Sequence, residues 1–457
     1  MPGEQISSYE FGPFRLLPAE RLLLRANENV PLAPKVFETL LALVRNRGRI
    51  LAKEELMSLV WGKTIVEEGN LTQNIFVLRK VLGETRQDHK YLVTIPLQGY
   101  CFVAQVREAF SAELQNGRET SNAVVLRTAN GSRSVRGHGG NIDAYQLYVK
   151  GRYFWESRTE QGLLKGVDYA QKAIAIDADS AASYAGLADS YLCLGEYLFA
   201  SPAEAFPKAK AAALKAHQLD PDLAEAYASL AEVAFFYDWN WAEAERNYKL
   251  AIALNPGYAT ARHWYAWYLI MMGRLTEGLD KIREAQRIDP CSLTLHCVLG
   301  LPFYYERNYR RAIVQFRSTL DMAPDFAQAR YYLGSSFAQL EMYVEAAAEF
   351  ERLIPCEYSQ QASALLGFVY ARSGQKGRAT EILKGLNELS ANRYVSPYLE
   401  AIIYTGLGQV DRALSALERA WSERAAWMVF LKVDPFFDSI RGERRFQALL
   451  QKLQFPA

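Results

Sequence analysis

Residues 70–82 combine side chains that could read the edges of nucleic-acid bases. At 100° per residue, Leu71, Ile75, Leu78 and Leu82 gather on one face of a helix and predict a buried stripe. The opposite face carries both polar and apolar residues: Gln73, Phe76, Val77 and Lys80, flanked by Thr72 and Arg79. Polar groups can bond bases or phosphates, and an apolar group can contact the thymine methyl. Taken alone, this pattern fits an amphipathic helix of another small domain better than a DNA-binding helix.

The elements that would position this helix lie on both sides of it. Asn70 is a candidate N-cap for the helix, with Gln73 placed for a capping box. Two helices are predicted before it, from Pro34 to about Arg47 and from Lys53 to Trp61. Alternating apolar residues predict the strands Phe11 to Leu16, Arg21 to Leu24, Val30 to Leu32, Tyr91 to Ile95 and Tyr100 to Val103. The last two strands would form a hairpin, or wing.

Three segments carry a family resemblance: GRILAKEELMSLVWG, EEGNLTQNIFVLRKVLG and YLVTIPLQGYCF. They resemble the winged helix-turn-helix effector domains of OmpR/PhoB-type response regulators. The resemblance implies that the third helix enters the major groove and that the wing touches the minor groove or the backbone. It places Thr72, Gln73, Asn74, Phe76 and Val77 on the reading surface, with Arg79 and Lys80 beside the phosphates. Further backbone or wing contacts fall on Arg49, Lys53, Lys90, Thr94, Gln98 and Gly99.

The sequence departs from this family pattern in ways that weaken DNA binding. Cys101 stands where the family usually has Arg after Gly-Tyr, which implies the loss of one phosphate contact. Residues 1–108 contain 14 Lys and Arg against 12 Asp and Glu, so the domain is nearly neutral. We therefore expect weak non-specific binding, since that binding comes mainly from phosphate neutralisation.

The second half of the chain repeats with a period of 34 or 35 residues. Pro221, Pro256, Pro290 and Pro324 mark the period, and small residues recur between them. This pattern resembles the tetratricopeptide repeat, with two antiparallel helices per unit. The concave side of such an array is a usual ligand or peptide groove. Arg262 and Arg330 occupy matching places and could hold a carboxylate there, although solvated arginines fit the pattern better.

These patterns divide the chain into four parts and give a mainly α, multidomain fold. The α+β winged helix-turn-helix domain covers 1–107, and the Ser-, Asn- and Gly-rich residues 108–141 form a flexible linker. An α-solenoid of tetratricopeptide-type helix pairs covers 142–433. A C-terminal capping helix covers 434–457.

Composition narrows the function further. The net charge is +1, the five cysteines are scattered, and neither a signal peptide nor a membrane span is evident, so we expect a cytoplasmic protein. Cys291, His296 and Cys297 form the only metal-like group, with poor helical spacing and no fourth ligand. No motif of a catalytic or cofactor site is present. We expect no enzyme activity, no cofactor and no metal.

The combination of a winged helix with a tetratricopeptide array resembles HilA-like and CadC-like regulators. The sequence therefore favours a sequence-specific DNA-binding transcription regulator. Its expected partners are double-stranded DNA and a protein or peptide in the repeat groove, with RNA polymerase and a second copy of the chain as candidates. The array would bind a protein or small-molecule signal or mediate self-association. The alternative is a protein-interaction scaffold whose winged-helix domain is vestigial.

Overall fold

The computed structural model describes residues 6–26, 28–62, 68–84, 90–95, 99–104, 106–110, 142–289, 292–354 and 359–456. The chain divides into two compact units, residues 1–153 and 154–457. Most of the predicted linker, and Gln98 in the wing turn, lie outside the described residues.

An antiparallel sheet of five strands opens the N-terminal unit, in the order β4-β3-β2-β1-β7. The strands are β1 (Ile6–Phe11), β2 (Phe14–Leu17), β3 (Leu22–Arg25), β4 (Glu28–Val30) and β7 (Arg107–Phe110). The predicted strand from Phe11 to Leu16 is wrong, because the chain turns at Gly12, whose φ is +52°, and Phe11 pairs with Phe14. Because β7 pairs with β1, the domain extends beyond 107 and the linker cannot begin at 108.

Three helices and a hairpin complete the winged-helix domain. They are α1 (Pro34–Arg45), α2 (Lys53–Trp61), α3 (Glu68–Leu82) and the strands β5 (Leu92–Ile95) and β6 (Gly99–Phe102). The predicted bounds of α2 are confirmed. Asn70 lies inside α3 instead of capping it, because the helix already begins at Glu68. The predicted apolar stripe of α3 is buried in the domain core.

Helix α4 (Ile142–Glu156) belongs mainly to the N-terminal unit. Its Val149 is buried in a small cluster with Val93, Cys101 and Val103 of the wing region. The expected start of the repeat array at 142 is therefore wrong, because residues 142–153 group with the winged helix. Cys101 faces this cluster and is 1% exposed, and burial raises the pKa of its thiol to about 12.

Helices dominate the second unit, and most of them pair as the repeats predict. They are α5 (Glu160–Ile176), α6 (Ala181–Glu196), α7 (Pro202–Leu219), α8 (Ala224–Val233), α9 (Trp241–Leu254), α10 (Ala259–Met271), α11 (Leu275–Ile288), α12 (Leu293–Val298), α13 (Leu301–Tyr305), α14 (Tyr309–Met322), α15 (Ala327–Gln339), α16 (Tyr343–Glu351), α17 (Ser359–Arg372), α18 (Lys376–Leu389), α19 (Pro397–Gly406) and α20 (Val410–Ser422). A π-helical turn, Ala234–Asp238, follows α8.

The repeat period has the predicted physical origin. Pro221, Pro256 and Pro324 each stand two residues after the last residue of a second helix, where a proline prevents continuation. The small residues allow close helix approach. A methyl group added to Gly334 would lie 2.8 Å from the ring of Phe350 on the paired helix.

The C-terminal segment, residues 423–456, reaches well beyond the end of the array. It contains two 3₁₀ turns, Ala426–Phe430 and Pro435–Ile440, and α21 (Arg444–Leu453). Helix α21 packs on its neighbour α20, where Arg445 pairs with Glu418 at 2.7 Å. The segment also bonds distant repeats, because the indole of Trp427 donates to the carbonyl of Glu196 at 3.1 Å. The expected capping helix is therefore only part of a longer segment that ties several repeats together.

Candidate nucleic-acid interface

The outer face of α3 presents the side chains that the sequence marked for base reading. Thr72, Gln73, Phe76 and Lys80 are exposed, and Phe76 keeps 63% of its surface accessible. Val77 is half-buried and packs against the domain core. Because the core holds the opposite side of the helix through the buried stripe, the outer face is presented on a rigid element. A large apolar side chain so exposed among polar groups fits a surface that meets DNA.

Asn74 is not part of this face, and its expected place on the reading surface is wrong. The side chain is 8% exposed, and its amide donates to Thr39 Oγ1 at 3.0 Å and to the carbonyl of Lys35 at 3.2 Å. These bonds tie α3 to α1. The sequence held the signal, because position 74 is three residues after Leu71 and four before Leu78, on the buried face.

Arg79 and Thr94 bond each other and link α3 to the wing. The guanidinium of Arg79 donates to Thr94 Oγ1 at 2.7 Å, and its Nε lies 3.8 Å from Glu84 Oε2. The Glu84 side chain is fully covered and accepts from the backbone N–H of Tyr91 and Leu92, the latter at 2.9 Å. Arg79 therefore compensates a covered carboxylate inside the domain, and its expected role beside the phosphates stays a prediction. Thr94 accepts the Arg79 hydrogen bond and so helps to link the wing to α3.

The remaining backbone and wing candidates fall into different environments. Arg49 is exposed but forms an ion pair with Glu55 at 2.6 Å, so a phosphate would have to compete with that carboxylate. Lys53 is half-buried and Lys90 is exposed. Gly99 is buried with φ +133°, and any side chain there would strike the backbone of Leu51. Its expected DNA contact is wrong, because it allows β6 to close on the chain before α2.

The two arginines expected in the repeat groove form ion pairs within the repeats. Arg262 on α10 lies 3.4 Å from Glu284 on α11, and Arg330 on α15 lies 2.8 Å from Glu349 on α16. Their side chains are only 12% and 14% exposed. Each arginine joins the two helices of one unit, so neither serves as the expected carboxylate receptor.

A cavity of about 60 Å³ lies between the repeats and the C-terminal segment. Its lining is rich in aromatic side chains and includes the acidic residues Glu196 and Asp434. The density of aromatic residues in the sequence does not by itself distinguish a cavity wall from a packed core. The acidic residues had no sequence signal, since Glu196 ends α6 and Asp434 is far away in the chain.

The two carboxyl groups of the cavity are held in a desolvated environment. Burial raises the pKa of Glu196 to about 7, although the nearby Arg158 guanidinium opposes the shift. Burial also raises the pKa of Asp434, opposed by a hydrogen bond from the Tyr398 hydroxyl at 2.7 Å. Removal of water penalises the charged form of an acid, so both groups favour a partner that restores lost solvation.

Two family models match the chain. Residues 27–102 match "Transcriptional regulatory protein, C terminal", and residues 234–291 and 297–364 match "Tetratricopeptide repeat". The first unit thus carries a winged-helix domain of the OmpR/PhoB type, and the second unit carries tetratricopeptide repeats. This is the architecture of a DNA-binding transcription regulator.

Individual relatives show the same combination or part of it. Transcriptional regulator HilA of Salmonella typhi is 21% identical, over 59% of this chain and 68% of the relative. Transcriptional activator CadC of Escherichia coli (strain K12) is 29% identical, over 21% of this chain and 19% of the relative. The solved DNA-binding domain of E. coli CadC is 26% identical, covers 23% of this chain and 100% of its own, and superposes with a TM-score of 0.21.

The described ranges contain neither a membrane-spanning helix nor a group of metal-binding side chains. None of the helices in those ranges is both long and apolar enough to cross a membrane. Across the same part of the chain, no three His, Cys, Asp or Glu side chains are grouped to hold a metal ion. Cys291 of the metal-like group noted in the sequence lies outside the described residues.

Proposed function

We propose that this protein is a sequence-specific DNA-binding regulator of transcription whose repeat array receives a signal. The exposed face of α3 carries the proposal. Phe76 projects from it between Thr72, Gln73 and Lys80, while the opposite side of the helix is buried. Such a helix can enter the major groove, with its apolar group on a thymine methyl and its polar groups on base edges or phosphates.

Contacts inside the domain divide the basic residues into two classes. Lys80 is exposed on the outer face of α3 and is our candidate for a phosphate contact. Arg79 instead positions the wing relative to α3 through Thr94 and Glu84. With few cations for phosphate, we expect base contacts and tandem sites or self-association to supply much of the affinity.

The repeat array is the proposed signal-receiving part. Its own C-terminal segment bonds residues on several repeats, including Glu196 through Trp427 and Asp438 with Arg307. A cavity remains between this segment and the repeats. We therefore favour a small-molecule signal at this cavity over a peptide along the groove. Contacts with RNA polymerase or with a second copy of the chain stay candidates.

Selection of genomic DNA fragments by the purified full-length protein tests the proposal, at about 100 mM salt to suppress non-specific binding. The test variant is Phe76→Asp, which places a carboxylate on the outer face of α3. The matched control is Leu59→Asp, because Leu59 is also apolar and exposed, at 55%, but lies on α2. We expect wild type and the control to enrich the same short motif, and Phe76→Asp to enrich none.

Two outcomes would contradict the groove assignment. Equal enrichment by Phe76→Asp and wild type would show that α3 does not read DNA. No enrichment by folded wild-type protein would favour the alternative, an interaction scaffold with a vestigial winged helix. Circular dichroism of both variants checks that the substitutions leave the fold intact.

A further inference from the structure

We propose that the cavity between the repeats and the C-terminal segment binds a small methylated ammonium cation, such as a trimethylammonium group. This inference rests on the proposed function, because it names the chemical class of the signal. It is carried by the aromatic wall of the cavity, by two carboxyl groups in the same wall and by the cavity's size.

The aromatic wall comes from both sides of the cavity. Tyr331 of α15 meets Trp427 of the C-terminal segment with ring centroids 6.4 Å apart, and Trp427 meets Phe430 at 5.6 Å. Trp267 of α10 continues the wall, 6.0 Å from Phe430. The faces of Trp and Tyr rings attract a weakly hydrated cation within about 6 Å of the ring centroid. A cavity lined by such side chains favours quaternary ammonium over strongly hydrated cations.

The charges of the wall have one sign. Glu196 and Asp434 line the cavity, and none of its described lining residues is Lys or Arg. The arginines that act on these carboxyl groups bond other groups. Arg158 lies 3.5 Å from the ring centroid of Trp155, Arg307 binds the carboxylate of Asp438, and Arg441 binds that same carboxylate and the backbone carbonyl of Asp434. A cation in the cavity would stabilise the charged form of both carboxyl groups.

The size of the cavity limits the ligand. Its volume of about 60 Å³ corresponds to roughly four to six water-sized spheres, at about 10–15 Å³ each. A trimethylammonium group has a similar number of non-hydrogen atoms. A peptide or a nucleotide is far too large for this space, whereas the headgroup of a choline-like molecule fits and its tail can extend toward solvent.

Calorimetric titration of the full-length protein with choline chloride tests the proposal. We choose about pH 8, where Glu196 is mostly ionised. The matched probe is 3,3-dimethyl-1-butanol, an uncharged molecule of the same shape. We expect choline to bind and the alcohol to bind at least about tenfold more weakly, because it lacks the charge that the rings and carboxylates attract. Glu196→Gln should weaken choline binding by about fivefold or more, with Glu204→Gln, on the exposed surface of α7, as the control.

Three outcomes would overturn the proposal: no heat of binding with choline, equal affinity for choline and the alcohol, or an unchanged affinity in Glu196→Gln. The comparison of the two probes uses wild-type protein only, so it holds even if the variant fails to fold. The DNA selection described above is done without choline. Enrichment of a DNA motif without choline binding would reject the proposed ligand but not the proposed DNA-binding function. Choline binding without enrichment would reject the DNA-binding function but not the ligand.

Discussion

Replacing Arg79 and Lys80 one at a time by alanine separates a structural cation from a DNA-binding one, although the two residues are neighbours. Arg79 donates to Thr94 and lies beside the covered carboxylate of Glu84. Removing one partner of a buried ion pair costs about 3–5 kcal/mol. Glu84 keeps its two backbone N–H bonds, so we expect the lower end, about 3 kcal/mol. Lys80 is exposed, and its removal should leave stability unchanged.

Hydrogen exchange of the full-length protein measures the first effect, because the wing amides are protected by the contacts that Arg79 supports. A loss of about 3 kcal/mol in the opening free energy corresponds to roughly a 150-fold loss of protection for residues 91–95 and 99–103 in Arg79→Ala. The salt dependence of DNA binding measures the second effect. We expect Lys80→Ala to reduce the slope of log affinity against log salt by about 0.9, the contribution of one phosphate.

The reverse result would refute the assignment. If Arg79→Ala kept its wing protection within about threefold and lost one phosphate from the salt slope, Arg79 would be a DNA contact. The phosphate contact implied by the family resemblance would then be correct for Arg79, and the structural role inferred from its contacts would be wrong. An unchanged slope in Lys80→Ala would remove Lys80 from the interface.

Three further predictions concern the interior of the protein. Asn74→Ala should lower the free energy of unfolding by about 1–2 kcal/mol, because two hydrogen bonds to α1 are lost. Unchanged amide exchange in α3 would show that these hydrogen bonds are unimportant for stability. Gly334→Ala should destabilise the array by about 1–3 kcal/mol in thermal unfolding, because the added methyl group would lie 2.8 Å from the Phe350 ring. The control Gly385→Ala should not destabilise the array, because the space beside Gly385 is open. Glu196 has a folded pKa of about 7, above its ordinary 4.5, so its contribution to stability is present at low pH and is lost as pH rises through about 7. Glu196→Gln should therefore gain stability relative to wild type between about pH 4.5 and 7, and a constant difference across urea titrations at these pH values would contradict the shift.

Local periodicity explains why so much of the fold could be predicted. The spacing of Leu71, Ile75 and Leu78 defines one side of a helix wherever that helix packs, and this stripe is buried in the core. The prolines after α7, α9 and α14 prevent these helices from continuing, because proline lacks a backbone donor, whatever the neighbouring repeat contains. These rules act over a few residues, so the sequence alone indicated the winged helix, the repeats and an exposed α3 face bearing Phe76 and Lys80.

Partners distant in sequence were decided only by the tertiary structure. The spacing of Asn74 places it on the buried face of α3, but only the fold brings its amide to Thr39, 35 residues earlier. Trp427 bonds Glu196 across 231 residues, which brings an acid and an aromatic wall together around one cavity. The type of a residue determines which hydrogen bonds and ring contacts its side chain can form. Which partner it contacts depends on how distant parts of the chain fold together. That is why the sequence determined the kind of protein, while the tertiary structure separated Lys80 from Arg79 and formed the cavity.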